Sequence, residues 1–226
     1  MLIVIDPGHG GSDHGATGYG LVEKNLNLSL AKAVQRNLNQ YELEVVLTRE
    51  NDTNPSLNAR ANYANNLKAD FFLSLHTNSG GGSGFESYVY SNAPSSTTAL
   101  RTILHTAIAD YYSREGLPDR GGKKENFAVL RETSMPSVLL ENLFIDNARD
   151  ASYLKAPSFL PGAASAITNG IVRAFDLQPV QVWNPEAEVS RLRELGIVNG
   201  DHSPSDPLNW GEFATVINRL IEKYLL

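Results

Sequence analysis

Short apolar runs alternate along the chain with longer stretches whose apolar positions recur at helical spacing. Residues 2–5 form one continuous apolar run, which predicts a buried strand over residues 2–6, whereas the apolar positions between residues 25 and 38 recur every three or four places. Further strands are predicted at residues 43–48, 70–76, 85–91, 127–131 and 137–142, and further helices at residues 55–69, 95–114, 147–154 and 158–176. Strands that alternate with helices predict an α/β fold with a layered, mostly parallel sheet flanked by helices.

The end of the chain follows a different pattern. Residues 177–184 contain a proline and show little helical periodicity, which predicts a linker. After it, two helical stretches flank a loop rich in Gly, Asn, Asp, Ser and Pro. We therefore predict one domain over residues 1–176 and a small helical C-terminal module over residues 185–226.

Composition and charge exclude several classes of function. The 226 residues include no cysteine, which excludes disulfides, thiolate metal ligands and a cysteine nucleophile. The formal net charge is −6, and no basic cluster stands out beyond Lys123-Lys124, so no nucleic-acid partner is expected. The longest apolar runs fall far short of the ~20 residues that span a bilayer, so no membrane partner is expected.

Two histidines follow predicted buried strands and precede glycines. His9 lies in Asp-Pro-Gly-His-Gly-Gly after the first strand, and His76 ends the third strand shortly before a second glycine run. In open α/β sheets the ligand crevice lies beyond the carboxyl ends of the strands, so His9, His76 and Glu141, which lies at a third strand end, are predicted to converge. Imidazole is the usual neutral ligand of zinc, and glycines allow close approach. The competing interpretation of His9 is a tight turn that happens to contain a histidine.

Two glutamates complete the candidate site. In a cysteine-free chain a third zinc ligand has to be a histidine or a carboxylate, and Glu23 lies just before the first predicted helix. The alternative for Glu23 is stabilisation of the helix dipole. Glu141 follows the apolar run Val-Leu-Leu, where a carboxylate is costly unless it is paired, hydrogen-bonded or functional. Two interpretations of Glu141 remain: it acts as a general base, or it is a strand-end residue held in a salt bridge.

The remaining histidines and motifs give weaker indications. His14 is interpreted mainly as a spare loop residue, His105 as an ordinary helix residue and His202 as a solvated residue of the tail loop. The chain contains neither a Gly-x-Ser-x-Gly elbow nor a P-loop lysine, so the sequence gives little support to a serine hydrolase or a nucleotide-binding protein.

Six blocks of sequence occur in an order that resembles one enzyme family. They are IVIDPGHGGSDHGATG, VEKNLNLSLA, TRENDTNPSLNARANYAN, ADFFLSLHTNS, GFESYVY and VLRETSMPSVLLENLFIDNARD. Together, over about residues 1–176, they resemble the zinc-dependent N-acetylmuramoyl-L-alanine amidases of the Amidase_3 type. The resemblance implies one Zn²⁺ held by His9, Glu23 and His76, with Glu141 as the catalytic glutamate.

The resemblance also implies a reaction. The enzyme would hydrolyse the amide between N-acetylmuramic acid and L-alanine in peptidoglycan and so degrade the bacterial cell wall. Zinc would polarise the carbonyl and activate a water, and Glu141 would act as general base and then as general acid. Two positions depart from the family pattern. At His14, a secondary contact of this side chain with the metal remains an alternative. At Asn142, we expect a change in the floor of the site beside Glu141. Arg60 and Asn78 are expected to have structural or substrate-orienting roles.

The tail adds a second resemblance. The stretch LRELGIVNGDHSPSDPLNWGEFATVINRL lies within residues 185–226. It resembles a single S-layer-homology module, a type that binds cell-wall polymers, so a secondary wall polymer is an expected partner besides peptidoglycan. The chain opens directly with strand residues rather than with a secretory signal. We therefore expect a phage or prophage endolysin released by lysis, or a bacterial autolysin with its signal removed, acting on the wall outside the membrane.

Two other functions remain open on the sequence. One is a zinc peptidase that cuts within the peptidoglycan stem peptide. The other is a non-catalytic wall-binding protein, in which the histidines and glutamates have no chemical role.

Overall fold

The computed structural model describes residues 1–180, 184–199 and 202–224. Residues 181–183 of the predicted linker, residues 200–201 of the predicted tail loop and the last two residues lie outside the described residues. The chain divides into two compact units, Met1–Val180 and Gln181–Leu226.

The first unit is built on a six-stranded sheet within the described residues, with the order β4-β1-β5-β8-β6-β7. Its strands are β1 Leu2–Pro7, β4 Glu44–Leu47, β5 Phe71–Asn78, β6 Phe85–Tyr90, β7 Asp119–Glu125 and β8 Ser137–Phe144. Strands β4, β1, β5 and β8 run parallel, β6 is antiparallel to β8, and β7 is parallel to β6. The predicted α/β fold with a mostly parallel sheet is confirmed.

Helices cover both faces of this sheet. The helices of the first unit are α1 Glu23–Leu38, α2 Leu57–Asn66, α3 Ser95–Arg114, α4 Ala128–Arg131, α5 Ala148–Lys155 and α6 Phe159–Phe175. Apolar residues of α1, α3, α5 and α6 share one core with the sheet, and α2 and α4 contribute to a smaller core on the opposite face. A small antiparallel ribbon, β2 Thr17–Gly18 with β3 Leu21–Val22, joins β1 to α1.

Alternation of side chains along the strands decides which residues meet on each face. Ile3 and Ile5 enter the larger core, while Val4 between them enters the smaller one. All three are fully buried, which explains the continuous apolar run at residues 2–5 of β1. A cavity of about 260 Å³ lies at the carboxyl ends of the strands on this face, and its lining includes Leu57 of α2 and Val129 of α4.

The structure corrects the sequence prediction in two places. Residues 127–131 were expected to be a strand, but Ala128–Arg131 form the one-turn helix α4, with Val129 and Leu130 buried in the smaller core. Such a short apolar run has no decisive periodicity. Strand β7 was missed because its sequence, Asp-Arg-Gly-Gly-Lys-Lys-Glu, has no apolar alternation and lies at the edge of the sheet.

The second unit contains two helices within its described residues, α7 Pro185–Glu194 and α8 Trp210–Tyr224. Asn184 caps α7 by accepting a hydrogen bond from the Ala187 amide at 3.0 Å, with proline at the first helical position. Ile197 is buried, and its carbonyl accepts a 2.8 Å hydrogen bond from Arg219 of α8. Across the described parts of both units, no helix is long and apolar enough to cross a membrane.

Candidate metal centre and active site

The loop after β1 brings His9 to the end of the sheet. Two glycines make this possible, because a Cβ atom on Gly8 would stand 2.2 Å from the His76 ring and one on Gly15 would stand 2.5 Å from Glu23. His9 itself has a positive φ of 60°, a conformation that is uncommon outside glycine. The glycine-rich loop is therefore required by the close approach of backbone and ligating side chains.

His9, Glu23 and His76 form one cluster. Their candidate ligand atoms all lie within 4.8 Å of one another. Glu23 Oε1 stands 3.2 Å from His9 Nε2 and 3.0 Å from His76 Nδ1. Two neutral nitrogen ligands and one carboxylate oxygen are a donor set that zinc accepts, and ligand atoms around a tetrahedral zinc stand roughly 3.3 Å apart. The chemistry and spacing of this cluster fit a zinc ion.

The elements of the fold explain why these three residues meet. His76 lies near the end of β5, the strand directly beside β1. Glu23 is the first residue of α1, and the β2–β3 ribbon returns the chain from the His9 loop to this helix. Glu23 is only 5% exposed, whereas the two histidine side chains are 20–25% exposed and face a cavity of about 260 Å³.

A second layer of polar groups orients the cluster. Asp13 Oδ2 lies 2.9 Å from His9 Nδ1, so the other ring nitrogen faces Glu23. Glu23 accepts hydrogen bonds from the Ala16 and Thr77 amides at 2.8 and 3.1 Å, and from Asn27 Nδ2 at 3.2 Å. Sequence reasoning missed Asp13 and Asn27, although each lies four residues after a predicted ligand.

Two buried arginines hold the loop that carries His9. Arg60 donates to the carbonyls of Pro7 and His9, both at 2.8 Å, and pairs with Asp6 at 2.7 Å. Arg49 donates to the carbonyls of Pro7 and Gly8 at 2.9 and 3.0 Å. Arg60 therefore has the structural role that was one of its two predicted roles, and Arg49 shares it.

The charges of the cluster favour positive charge at its centre. Hydrogen bonding to Glu23 raises the pKa of His9 to about 9, although burial opposes the shift. Burial raises the pKa of the Glu23 carboxyl, but hydrogen bonds with His76 and His9 outweigh it and hold that pKa well below its usual range. A site that stabilises an extra proton between two imidazoles and a carboxylate has the electrostatic character needed to hold a cation.

Glu141 lies directly beside this cluster. It pairs with His76 in the parallel register of β5 and β8, so both side chains stand on the same face of the sheet. Its Oε2 atom is buried and has no hydrogen-bond partner among the described residues. Burial raises the pKa of Glu141 to about 7. The interpretation as a salt-bridged strand end is not supported, because no ion pair of Glu141 occurs within the described chain.

The strand continues past Glu141 through an irregular step. A bulge shifts the register between β5 and β8, and Leu143 adopts a positive φ of 69° there. Asn142 turns to the opposite face, where it donates to the His76 carbonyl at 3.0 Å and accepts from Tyr112 at 2.9 Å. The expectation that Asn142 forms a changed floor beside Glu141 is therefore wrong. Asn142 instead links β8 to β5 and to α3 on the opposite face of the sheet.

The other histidines have no part in the cluster. His14 is exposed, and the metal-ligating group found among the described residues does not include it. His105 lies on helix α3, as expected, and is buried there, with Nδ1 2.7 Å from the Ser87 hydroxyl and Nε2 2.9 Å from Asp119. Ser87, His105 and Asp119 have the residue types of a catalytic triad, but His105 presents Nδ1 rather than Nε2 to the serine. Ser87 is also fully buried, so its hydroxyl is not available to a substrate.

Comparison with known proteins identifies the family. Residues 3–173 match the N-acetylmuramoyl-L-alanine amidase family Amidase_3. The sporulation-specific N-acetylmuramoyl-L-alanine amidase of Bacillus subtilis (strain 168) is 49% identical over 180 residues, covering 79% of this chain and 69% of the relative. The endolysin of Bacillus phage SPP1 is 45% identical over 181 residues, covering 78% of this chain and 67% of the relative.

A solved structure agrees with the fold. The catalytic domain of CwlV, an N-acetylmuramoyl-L-alanine amidase from Bacillus (Paenibacillus) polymyxa var. colistinus, superposes with a TM-score of 0.73 at 40% sequence identity. The match covers 78% of this chain and 99% of that domain. The sequence match, the relatives and the shared fold agree: the chain belongs to the N-acetylmuramoyl-L-alanine amidase family, Amidase_3.

Proposed function

We propose that this protein hydrolyses the amide bond between N-acetylmuramic acid and L-alanine in peptidoglycan and so degrades the bacterial cell wall. One observation carries the chemical part of the proposal: Glu141 presents a buried, unpaired carboxylate oxygen directly beside the His9, Glu23 and His76 cluster. Membership of the amidase family supplies the substrate class. A metal site next to an unpaired carboxylate is the arrangement that metal-assisted amide hydrolysis requires.

The proposed metal is Zn²⁺, held by His9, Glu23 and His76. When bound there, Zn²⁺ would supply Lewis-acid polarisation of the scissile carbonyl and would lower the pKa of a water, to ~7 in favourable sites. Asp13 fixes the ring of His9 through Nδ1, which keeps Nε2 directed at the centre of the cluster. The amides of Ala16 and Thr77 hold the Glu23 carboxylate in place, so the ligand geometry is set before substrate arrives.

Glu141 handles the protons of the reaction. Its carboxylate accepts a proton from the attacking water, and the resulting carboxyl donates that proton to the amine of L-alanine as the amide bond breaks. A pKa near 7 suits both halves of this task, since neither protonation state is strongly disfavoured at neutral pH.

The bond that is cleaved separates this function from the two alternatives. Purified walls digested by the enzyme should gain free amino groups on L-alanine without new reducing sugar ends. Cleavage within the stem peptide would indicate a peptidase, and new reducing ends would indicate a glycosidase. Absence of any product from zinc-loaded protein would favour the non-catalytic wall-binding protein.

We further propose that residues 1–176 form the zinc amidase domain, residues 177–184 the linker, and residues 185–226 a single S-layer-homology-like module that binds a secondary wall polymer. The described part of the second unit supports a separate module, with its own helices and its own buried residue Ile197. Residues 177–226 carry seven acids and four bases, so attraction to an anionic polymer would have to come from specific polar contacts. The proposed place of action is the bacterial cell wall outside the membrane, where the peptidoglycan substrate lies.

A further inference from the structure

Beyond Glu141, the sheet carries a second charged cluster on the same face. Glu86 stands directly opposite Glu141 in the antiparallel register of β6 and β8. On the far side of Glu86, the pairing of β6 with β7 is irregular, and Arg120 and Gly121 both lie opposite the single residue Glu86. His76, Glu141, Glu86 and Arg120 therefore follow one another across four adjacent strands.

The buried carboxylate of Glu86 serves to anchor cations. Glu86 is 2% exposed, and its Oε1 pairs with Arg120 Nε and, at 2.6 Å, with Lys123 Nζ. Its Oε2 accepts hydrogen bonds from the Tyr88 hydroxyl at 2.5 Å and from Asn78 at 3.2 Å. Both oxygens are therefore fully used, and the two cations outnumber the one carboxylate that holds them.

The cations remain accessible while they are held. The side chains of Arg120 and Lys123 are 38% and 39% exposed, although both contact a buried group. The guanidinium of Arg120 also lies over the Phe144 ring, 5.0 Å from its centre, and the ammonium of Lys123 lies 5.8 Å from the centre of the Tyr88 ring. An arginine has five N–H donors and a lysine three, so contact with Glu86 leaves most of them to bind an anion.

The backbone around Arg120 is fixed as well. Asp119 accepts hydrogen bonds from the Gly121 amide at 2.7 Å and from His105 at 2.9 Å. The irregular part of β7 that contains Arg120 is therefore bonded to helix α3. Two cations held in fixed positions on Glu86, from a strand two places away from that of Glu141, form a preorganised anion site rather than a mobile charged surface.

We propose that Arg120 and Lys123, anchored on Glu86, bind a carboxylate of the peptide that leaves during hydrolysis. This inference rests on the proposed amidase reaction, in which Glu141 gives its proton to the leaving amine. Neighbouring strands are about 4.8 Å apart, which places the β7 backbone roughly 10 Å beyond that of β8. An extended peptide advances roughly 3.4 Å per residue, so a carboxylate one or two residues after the cleaved bond comes within reach of these long side chains.

The test uses two soluble muropeptides that differ only at the residue after L-alanine, which carries either a free carboxylate or its amide. Steady-state kinetics are measured for the full-length wild type, Arg120→Gln, Lys123→Gln and the control Lys124→Gln. The control removes the same charge from the adjacent, exposed position, whose strand partner Val89 lies in the core of the opposite face.

We expect the wild type to favour the carboxylate substrate. Arg120→Gln and Lys123→Gln should each raise KM for that substrate by roughly tenfold, as expected for loss of a charge-assisted hydrogen bond, with a much smaller change for the amide. The control should match the wild type on both substrates. Equal losses on both substrates would mean that the two cations only neutralise Glu86, and would overturn the subsite. If the wild type hydrolyses neither substrate, the amidase reaction itself is wrong, and the subsite with it.

Discussion

Glu141 and His76 occupy paired positions on neighbouring parallel strands, so a carboxylate without a hydrogen-bond partner among the described residues stands beside a histidine that contacts Glu23. The first residue serves proton transfer and the second serves metal binding in the proposed reaction. Because the two roles fall on separate side chains, they can be tested separately.

Glu141→Gln should lower the turnover of soluble muropeptides by roughly 10²-fold or more, since an amide cannot accept and return the proton. Zinc content should stay at the wild-type level, because Glu141 lies outside the ligand cluster. Glu132→Gln is the matched control, as Glu132 is an exposed glutamate paired with its neighbour Arg131. Near-wild-type turnover of zinc-loaded Glu141→Gln would reject the role.

His9→Ala, Glu23→Ala and His76→Ala should each lose bound zinc and activity, since each removes one of three ligands. Elemental analysis of the purified variants after dialysis is the measurement. His14→Ala serves as the control and should keep its zinc, because His14 is exposed. Full zinc occupancy in His9→Ala would contradict the ligand assignment.

Asp13→Asn should weaken zinc affinity by roughly 10–100-fold without unfolding the protein, because Asp13 orients the His9 ring through Nδ1. The affinity is measured by competition with a chelator of known zinc Kd. Asp110→Asn, at an exposed position on α3, is the control for loss of one carboxylate. Equal affinities for Asp13→Asn and the wild type would show that Asp13 does not support the metal ligand.

The Ser87–His105–Asp119 network should make stability depend on pH. Burial lowers the pKa of His105 below its ordinary value of 6.5, so the unfolded chain binds a proton at this residue more readily than the folded protein. The stabilising contribution of neutral His105 is therefore complete above pH 6.5 and declines as the pH falls below it. The difference in free energy of unfolding between wild type and His105→Gln should shrink over that range. A difference that is constant with pH would contradict the account.

A protein ending at residue 180 should keep its zinc and hydrolyse soluble muropeptides at a rate similar to that of the full chain. On intact walls it should be slower, most clearly at low enzyme concentration, because the proposed wall-binding module is missing. Comparing both proteins on both substrates isolates this effect. Equal rates on intact walls would show that residues 181–226 do not target the enzyme.

Much of the fold was predictable because strand and helix periods are local signals. His9 and His76 were predictable as a pair, since both end buried parallel strands and such ends meet at one edge of the sheet. The sequence evidence for Glu23 as a metal ligand was weaker on its own, because a glutamate in the first turn of a helix has an ordinary electrostatic explanation. Only the resemblance to a family favoured the ligand role over that explanation.

The parts that the sequence did not predict depend on tertiary contacts. Arg49 looks like any polar residue at the end of a strand, yet it folds back onto the loop carbonyls of Pro7 and Gly8. Strand β7 forms from a glycine- and lysine-rich segment because it pairs with β6 at the sheet edge, where no apolar alternation is needed. In the sequence, Arg120 and Lys123 of this strand look like solvated surface charges, whereas in the structure both pair with the buried carboxylate of Glu86.

The most direct test of the central claim follows the oxygen atom of water. Zinc-loaded enzyme digests a soluble muropeptide in water enriched in ¹⁸O, and the products are analysed by mass spectrometry. Amide hydrolysis at the proposed bond places one heavy oxygen in the carboxyl group of N-acetylmuramic acid and leaves the released peptide unlabelled, with a free amino group on L-alanine. Heavy oxygen in a carboxyl group of the peptide instead would contradict the amidase assignment.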